Sequence, residues 1–191
     1  MDTVEQLCKR AKIRDPRVSH HSECVADLAE AIAREMGMMP DQIEEIHIAG
    51  LLHDLGKITI PEEIFSKPRR LSKMERALIR SHPTRGYQIL KIIPELRRVA
   101  EMIYQHHERL DGSGYPRGLE DKDILRGAKI ISVADVVDAL ASPRCHRPAL
   151  GIDAALKEIS RNRGTLYDAD VVDTCIRLFK ENKFEFRTEA L

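Results

Sequence analysis

His21, the adjacent pair His53 and Asp54, His82, the pair His106 and His107, and Asp135 are the residues of this chain whose types and surroundings suit chemistry. Several stand in otherwise apolar text. His53 and Asp54 interrupt Ile48-Ala49-Gly50-Leu51-Leu52 and Leu55, while Asp135 lies between Ile130-Ile131-Ser132-Val133-Ala134 and Val136-Val137. Burying a carboxylate on an apolar face costs on the order of several kcal/mol unless something pairs with it. A metal cluster removes that cost for all of these groups at once. The chain therefore reads as a metal-dependent enzyme.

Imidazole and carboxylate donors together suit first-row metals such as iron, manganese or zinc rather than magnesium, which prefers oxygen throughout. Two such ions hold a shared hydroxide, lower its pKa and clamp the attacking and leaving oxygens of an in-line phosphoryl displacement. His53, Asp54 and Lys57 are expected within about one helical turn, where neighbours diverge by about 100° and i, i+4 share a face. His53 and Asp54 then approach ions from adjacent directions, and Lys57 reaches past them to a substrate phosphate. His82, before Pro83, either points into a cleft or caps a surface helix. His106 and His107 either serve two ions, or one ligates while the other packs. His20 and His47 read as non-ligands, and His146 stays open. No Ser-His-Asp arrangement, Walker glycine loop or Rossmann fingerprint competes.

Composition sets the frame for these donors. The 191 residues suit one domain with a core that needs no disulfides. Hydrophobic content of 42% and charged content of 32% are those of a globular chain rather than a disordered one. No apolar run approaches the roughly 20 residues of a bilayer span, and Met1-Asp2-Thr3-Val4-Glu5 is unlike a signal peptide. Cys8, Cys24, Cys145 and Cys175 show no CxxC spacing, so reduced thiols and a cytoplasmic location are expected. Zero net charge and the lack of Trp argue against a nucleic-acid polymer as partner. Charge is nonetheless segregated: residues 23–63 carry ten acidic and two basic side chains, and residues 67–98 carry ten basic and two acidic. The basic stretch is either a wall beside an anionic substrate or an ordinary solvated face.

The elements that must position the donors are helices. Val25, Leu28, Ala29, Ile32, Ala33 and Met36 follow the i, i+3, i+4 spacing, with Gly37 as the stop. Asp41 is expected to cap the next helix, which runs through Ile43, Ile46 and Leu51 to His53 and Asp54. Pro61 starts a short turn or helix, and Ser72 with Glu75 resembles a capping box. Pro83 fits the first turn of a helix through Tyr87, Leu90 and Ile93, and Pro94 leads into another from Leu96 to His107. Gly112, Gly114, Pro116 and Gly118 mark a rigid loop. Helices are expected at about Leu125–Leu140, Ile152–Asn162 and Ala169–Lys180. The chain reads as one all-α domain.

These residues resemble a known pattern. His21, His53-Asp54 and Asp135 are similar to the H…HD…D signature of the HD-domain phosphohydrolases. Leu51-Leu52-His53-Asp54-Leu55-Gly56-Lys57-Ile58 resembles the HDxGK motif of the HD-GYP subfamily. His106-His107-Glu108-Arg109-Leu110-Asp111-Gly112-Ser113-Gly114-Tyr115-Pro116 resembles its HHExxDGxGYP motif, and His82-Pro83 falls where that family carries a further ligand. The resemblance covers roughly residues 15–180. It implies a single HD-type helical bundle, a five-helix HD core plus additional helices, with residues 1–14 as an N-terminal helix or arm and 15–191 as the HD-GYP domain. It also implies hydrolysis of cyclic di-GMP to linear pGpG, with onward cleavage to GMP open. The alternatives are another cyclic dinucleotide or nucleotide ester, or a non-catalytic sensor module docking a diguanylate cyclase domain through the GYP loop.

Carried over residue by residue, the resemblance makes His21, His53, Asp54, His82, His106, His107 and Asp135 ligands of two divalent ions, iron or manganese. Asp54 and Lys57 become the catalytic pair. Lys57, Asp111, Gly114, Tyr115, Pro116, Arg144 and Arg147 become substrate contacts, the two arginines suiting phosphate because a guanidinium is permanently charged and binds bidentately. Two departures stand out. Three-metal members carry a glutamate one turn before the first histidine, where this chain has Arg17, so two ions are expected. Ser142-Pro143-Arg144-Cys145-His146-Arg147 replaces the commoner Asp-Arg-Pro-Tyr text. With about a dozen residues ahead of the domain, regulation is expected from outside it.

Overall fold

The computed structural model describes residues 4–9, 16–65, 71–143 and 149–187, with the side chains of 16–19 and 65 outside the description. The expectations for Arg144, His146 and Arg147, and for the Arg17 side chain, lie outside the described residues. Residues 4–9 are helical, and the main elements follow as α1 (Pro16–Glu35), α2 (Pro40–Leu52), α3 (Glu62–Phe65), α4 (Lys73–Ile79), α5 (His82–Leu90), α6 (Arg97–Gln105), α7 (Arg126–Ala141), α8 (Ile152–Arg161) and α9 (Ala169–Lys180). Short 3₁₀ segments lie at Leu55–Thr59, Pro94–Leu96 and Asp121–Asp123. No strand forms among the described residues; isolated bridges join Asp111 to Glu120 and Arg163 to Tyr167. No described helix is long and apolar enough to cross a membrane.

Helix ends follow local chemistry. Gly37 has φ +68° and lets the chain leave α1, with Met38 N–H donating to Ala33 O and Gly37 N–H to Arg34 O in a Schellman closure. Asp41 is not the cap of α2. That helix starts one residue earlier at Pro40, whose fixed φ and missing N–H suit the first position, and the Met39 N–H donates to Gln42 Oε1 at 3.2 Å. Ser72 and Glu75 do form the expected reciprocal cap on α4.

The core is built on α7. Ile130, Ile131, Ser132, Val133 and Ala134 are buried in succession, so this helix is enclosed on all sides. Val25, Leu28, Ala29 and Ile32 of α1 pack with Ile46 and Leu52 of α2, Val99 and Ile103 of α6, Ile159 of α8 and Val172 of α9 in one cluster. Each such side chain contributes roughly 1.5–3 kcal/mol by leaving water. The same enclosure puts Asp135 and Asp138 of α7 into the interior. Their charge needs partners there, and His21 of α1 with His53 and His107, just past the ends of α2 and α6, supply them.

Candidate metal centre

Three imidazoles are oriented by one repeated device. A helix end leaves its last carbonyls without intrahelical partners. His53 Nδ1 lies 2.7 Å from Gly50 O at the end of α2, His82 Nδ1 lies 2.8 Å from Ile79 O at the end of α4, and His106 Nδ1 lies 2.7 Å from Ile103 O near the end of α6. A carbonyl only accepts, so each Nδ1 carries the proton and each Nε2 lone pair turns inward. Such hydrogen bonds fix tautomer and ring orientation in metal-ligating histidines. The helices therefore stop just short of the donors: α2 at Leu52 and α6 at Gln105, before the expected His107.

His21 is held differently. Its Nδ1 lies 2.5 Å from Asp138 Oδ2, and Ser142 Oγ donates to Asp138 Oδ1 at 2.9 Å. Its Nε2 faces Asp135 Oδ1 at 3.2 Å and Asp54 Oδ2 at 3.9 Å. Asp138 was not singled out from sequence. Its only signal there is a second acid three residues after Asp135 in an apolar helix.

The described donors converge as two groups, His21-His53-Asp54 and His82-His106-His107, each within 4.8 Å. Asp54 joins them: Oδ2 lies 3.5 Å from His53 Nε2 and Oδ1 lies 3.3 Å from His82 Nε2. Asp135 spans the other side, from His21 to His107 Nδ1 at 3.9 Å. All seven residues proposed from sequence as ligands are thus brought together.

Two observations test whether a metal suits this set. His53 Nε2 is buried without a hydrogen-bond partner. His82 Nε2 and His106 Nε2 face each other at 3.4 Å although both rings carry their proton on Nδ1, so two lone pairs confront one another. A cation between them relieves that repulsion, and the separation matches two nitrogens each about 2.0–2.1 Å from one ion. The donor set fits divalent metal.

Electrostatics divide the cluster. Burial favours neutral imidazole and lowers the pKa of His53, His82 and His106, and that of His107 to about 3. Burial acts on His21 in the same sense, but its bonds to Asp135 and Asp138 prevail and raise it to about 9. Burial would raise Asp54, yet Lys57 and the surrounding imidazoles hold it well below the usual carboxylate range. Asp135 is held low against burial by its bond to His21.

Lys57 departs from the expected geometry. Leu55–Thr59 is a 3₁₀ turn, which eclipses i and i+3 rather than aligning i and i+4. Its ammonium consequently sits 2.5 Å from Asp54 Oδ2 instead of sharing a face with His53. Gly56 makes this turn possible by lying against α5, where an added Cβ would fall 2.0 Å from His82 O.

The loop after His107 is pinned by Glu108, a second residue not given a role from sequence. Its buried carboxylate accepts from Arg117 N–H at 2.8 Å and Leu119 N–H at 3.0 Å. Gly114 crosses directly over it, and a Cβ there would meet Glu108 Cα at 2.4 Å. Tyr115 N–H donates to His107 O at 3.2 Å, and its ring stacks on His107 with centroids 4.7 Å apart. Asp111 is exposed and bonds within the loop, to Ser113 N–H and Oγ, which holds its carboxyl below the usual range. Pro116 is exposed beside Tyr115. Of the expected substrate contacts, Lys57 and Tyr115 touch donor residues directly.

A family model described as HD domain matches residues 5–171. This chain belongs to the HD domain family. A cyclic di-GMP phosphodiesterase from Thermotoga maritima is 39% identical over 190 residues, covering 98% of this chain and 52% of the relative. A 3'3'-cGAMP-specific phosphodiesterase 1 from Vibrio cholerae is 37% identical over 161 residues, covering 82% of this chain and 37% of the relative. Among solved structures, Bd1817, an HDG"Y"P protein from Bdellovibrio bacteriovorus, matches with a TM-score of 0.71 at 25% identity, covering 85% of this chain and 52% of that one. The chain thus spans about half, or less, of the length of these relatives. Its helical bundle is of the HD type.

Proposed function

We propose that this chain hydrolyses a 3′–5′ phosphodiester of cyclic di-GMP to linear pGpG, with GMP the product of a second cleavage. The observation that carries this reading is the meeting of two three-donor groups on the single carboxylate of Asp54. The names of the relatives support the substrate class. His21, His53, Asp54, His82, His106, His107 and Asp135 hold two divalent ions, first-row metals by the mixture of imidazole and carboxylate and iron or manganese by the family resemblance. Bound there, such ions supply Lewis acidity at a phosphoryl oxygen and a nucleophile at neutral pH.

The chain's own side chains do the rest. Lys57, whose ammonium bonds Asp54 Oδ2 at 2.5 Å, stands where it would offer its charge to the scissile phosphate. Tyr115, seated on His107, offers its hydroxyl to a base or ribose; Gly114 and Pro116 set its loop, and Asp111 closes the turn. Arg144 and Arg147 remain proposed phosphate contacts. Residues 15–191 form the catalytic unit, with 1–14 a helix or arm whose Val4, Leu7 and Cys8 lie against the core. A cytoplasmic setting fits the unpaired thiols of Cys8, Cys24 and Cys175.

Protein purified without oxygen or chelators, assayed for metal and against a panel of cyclic dinucleotides, tests the reading. About two ions per chain and release of pGpG from cyclic di-GMP are expected. Preference for 3'3'-cGAMP would move this chain toward its Vibrio relatives. A filled metal site with no turnover of any cyclic dinucleotide would replace the enzyme with an interaction module, docking a diguanylate cyclase domain through the Tyr115 loop.

A further inference from the structure

Arg80 stands at the corner between α4 and α5, and its neighbours tie that corner to the metal centre. The preceding residue, Ile79, gives its carbonyl to His82 Nδ1. The following residue, Ser81, accepts from Arg85 Nε at 2.9 Å, and Arg85 also bonds Thr59 Oγ1 after the Lys57 turn. Arg80 itself is exposed, and its guanidinium carbon lies 4.3 Å from the centroid of the Tyr115 ring. That ring stacks in turn on His107. A cation over an aromatic face is held electrostatically without losing its hydrogen-bond donors. Arg80 is therefore one aromatic ring removed from the metal centre, with its donors free for a ligand.

Its charge is also unanswered. Arg34, Arg98, Arg163, Arg177 and Arg187 each face a carboxylate. Arg80, like Arg76 and Arg117, forms no ion pair with a carboxylate among the described residues; its place on the Tyr115 ring sets it apart. The ten-to-two excess of basic over acidic residues in 67–98 surrounds this position. A guanidinium without an anion, held on a ring that stacks on one of the candidate donors, is able to receive one.

We propose that Arg80 binds the non-reacting phosphodiester of the substrate, so that the site selects ligands carrying two phosphates over those carrying one. The proposal rests on the phosphodiesterase reading above. A cyclic dinucleotide holds its second phosphate within one nucleotide of the first, and a guanidinium meets phosphate oxygens with two parallel donors. Such a contact remote from the reacting atoms positions the scissile phosphate and is felt most by the substrate that has the second group.

The test compares Arg80→Met with Arg80→Lys and Arg76→Met in metal-loaded full-length chain. Methionine keeps an apolar stem against Tyr115 without the charge. Arg76 is a neighbouring exposed arginine on α4 that donates to Leu71 O, away from Tyr115, and controls for the bulk field. Arg80→Met should raise KM for cyclic di-GMP roughly 10- to 100-fold, the range of one charge-assisted hydrogen bond, with metal content and Tm as in the parent. The loss on bis(p-nitrophenyl) phosphate should be far smaller, Arg80→Lys should recover part of the KM, and the defect should shrink at high salt. Equal losses on both substrates, or an equal defect in Arg76→Met, would overturn the contact, as would an unchanged KM. If the parent turns over no cyclic dinucleotide, calorimetric binding of cyclic di-GMP replaces KM: weaker binding by Arg80→Met alone sustains the contact, and unchanged binding overturns it. A parent that neither cleaves nor binds any cyclic dinucleotide removes the functional reading and this contact together.

Discussion

His21-His53-Asp54 and His82-His106-His107 offer equal numbers of donors but very different electrostatics. The first group contains a carboxylate, and its His21 is backed by the buried carboxylate of Asp138. The second is all imidazole, with His82 and His106 backed by neutral main-chain carbonyls. A carboxylate behind an imidazole raises its basicity as well as fixing it, whereas a carbonyl chiefly fixes it. On the proposed reading, one half of the centre holds a cation tightly and the other holds one only with help. That help is Asp54, whose second oxygen faces His82.

The largest break follows from this sharing. Asp54→Asn should abolish turnover and deplete metal from both halves, while His106→Ala should lower the content from about two ions to about one. Metal analysis with circular dichroism as a fold control separates these outcomes. An Asp54 variant with normal metal and normal rate would remove the basis for treating the halves as one centre.

Lys57 comes next. Its ammonium bonds the shared carboxylate, yet it offers no lone pair to a metal while charged. Lys57→Ala should lower the rate by roughly 10²–10³-fold, comparable to losing one preorganised electrostatic donor, and leave metal content unchanged. Loss of metal from that variant would assign Lys57 to holding Asp54 in place.

What could be read from the sequence follows the reach of each interaction. Helical periodicity and the misplaced polarity of His53, Asp54 and Asp135 are local, so the bundle and the convergence of the candidate donors were legible. Asp138 and Glu108 were not, because one finds its partner 117 residues away on α1 and the other acts by folding a loop back onto itself. The 3₁₀ turn under Lys57 escaped for a related reason. It depends on the contact of Gly56 with His82 O, which periodicity within one segment does not show.

Asp138 sharpens the comparison at a smaller scale. Asp138→Asn keeps the shape but removes the charge behind His21. Affinity of the first half for metal should fall about 10–100-fold, the usual cost of losing an outer partner of a ligand. Competition against a chelator measures it. An equal effect on both ions, or on neither, would mean that the two halves do not differ in the way their backing groups suggest.

The smallest effect is on the metal-free protein and depends on pH. His107 has a folded pKa of about 3, with His53, His82 and His106 also lowered, so the folded state takes up fewer protons than the unfolded chain once pH falls below the ordinary histidine value of about 6.5. Stability from these four imidazoles, three of them in the all-imidazole half, is present above that value and is lost as pH falls from about 6.5 toward 3. His21 has the opposite sign: raised to about 9, it stabilises fully below about 6.5, and that contribution is lost as pH rises through about 9. Each proton bound differently changes stability by about 1.4 kcal/mol per pH unit, so the acid limb, with several imidazoles, should be the steeper. Asp54 and Asp135 extend that limb to still lower pH, since both are held below the usual carboxylate range. Urea midpoints of chelator-treated protein from pH 4 to 10 would display both limbs. Asp138→Asn should flatten the alkaline limb selectively, because the Asp138 carboxylate is part of what holds the proton on His21. A midpoint that rises on going from pH 6.5 to 5 would show that the all-imidazole half is not the proton-refusing side of the centre.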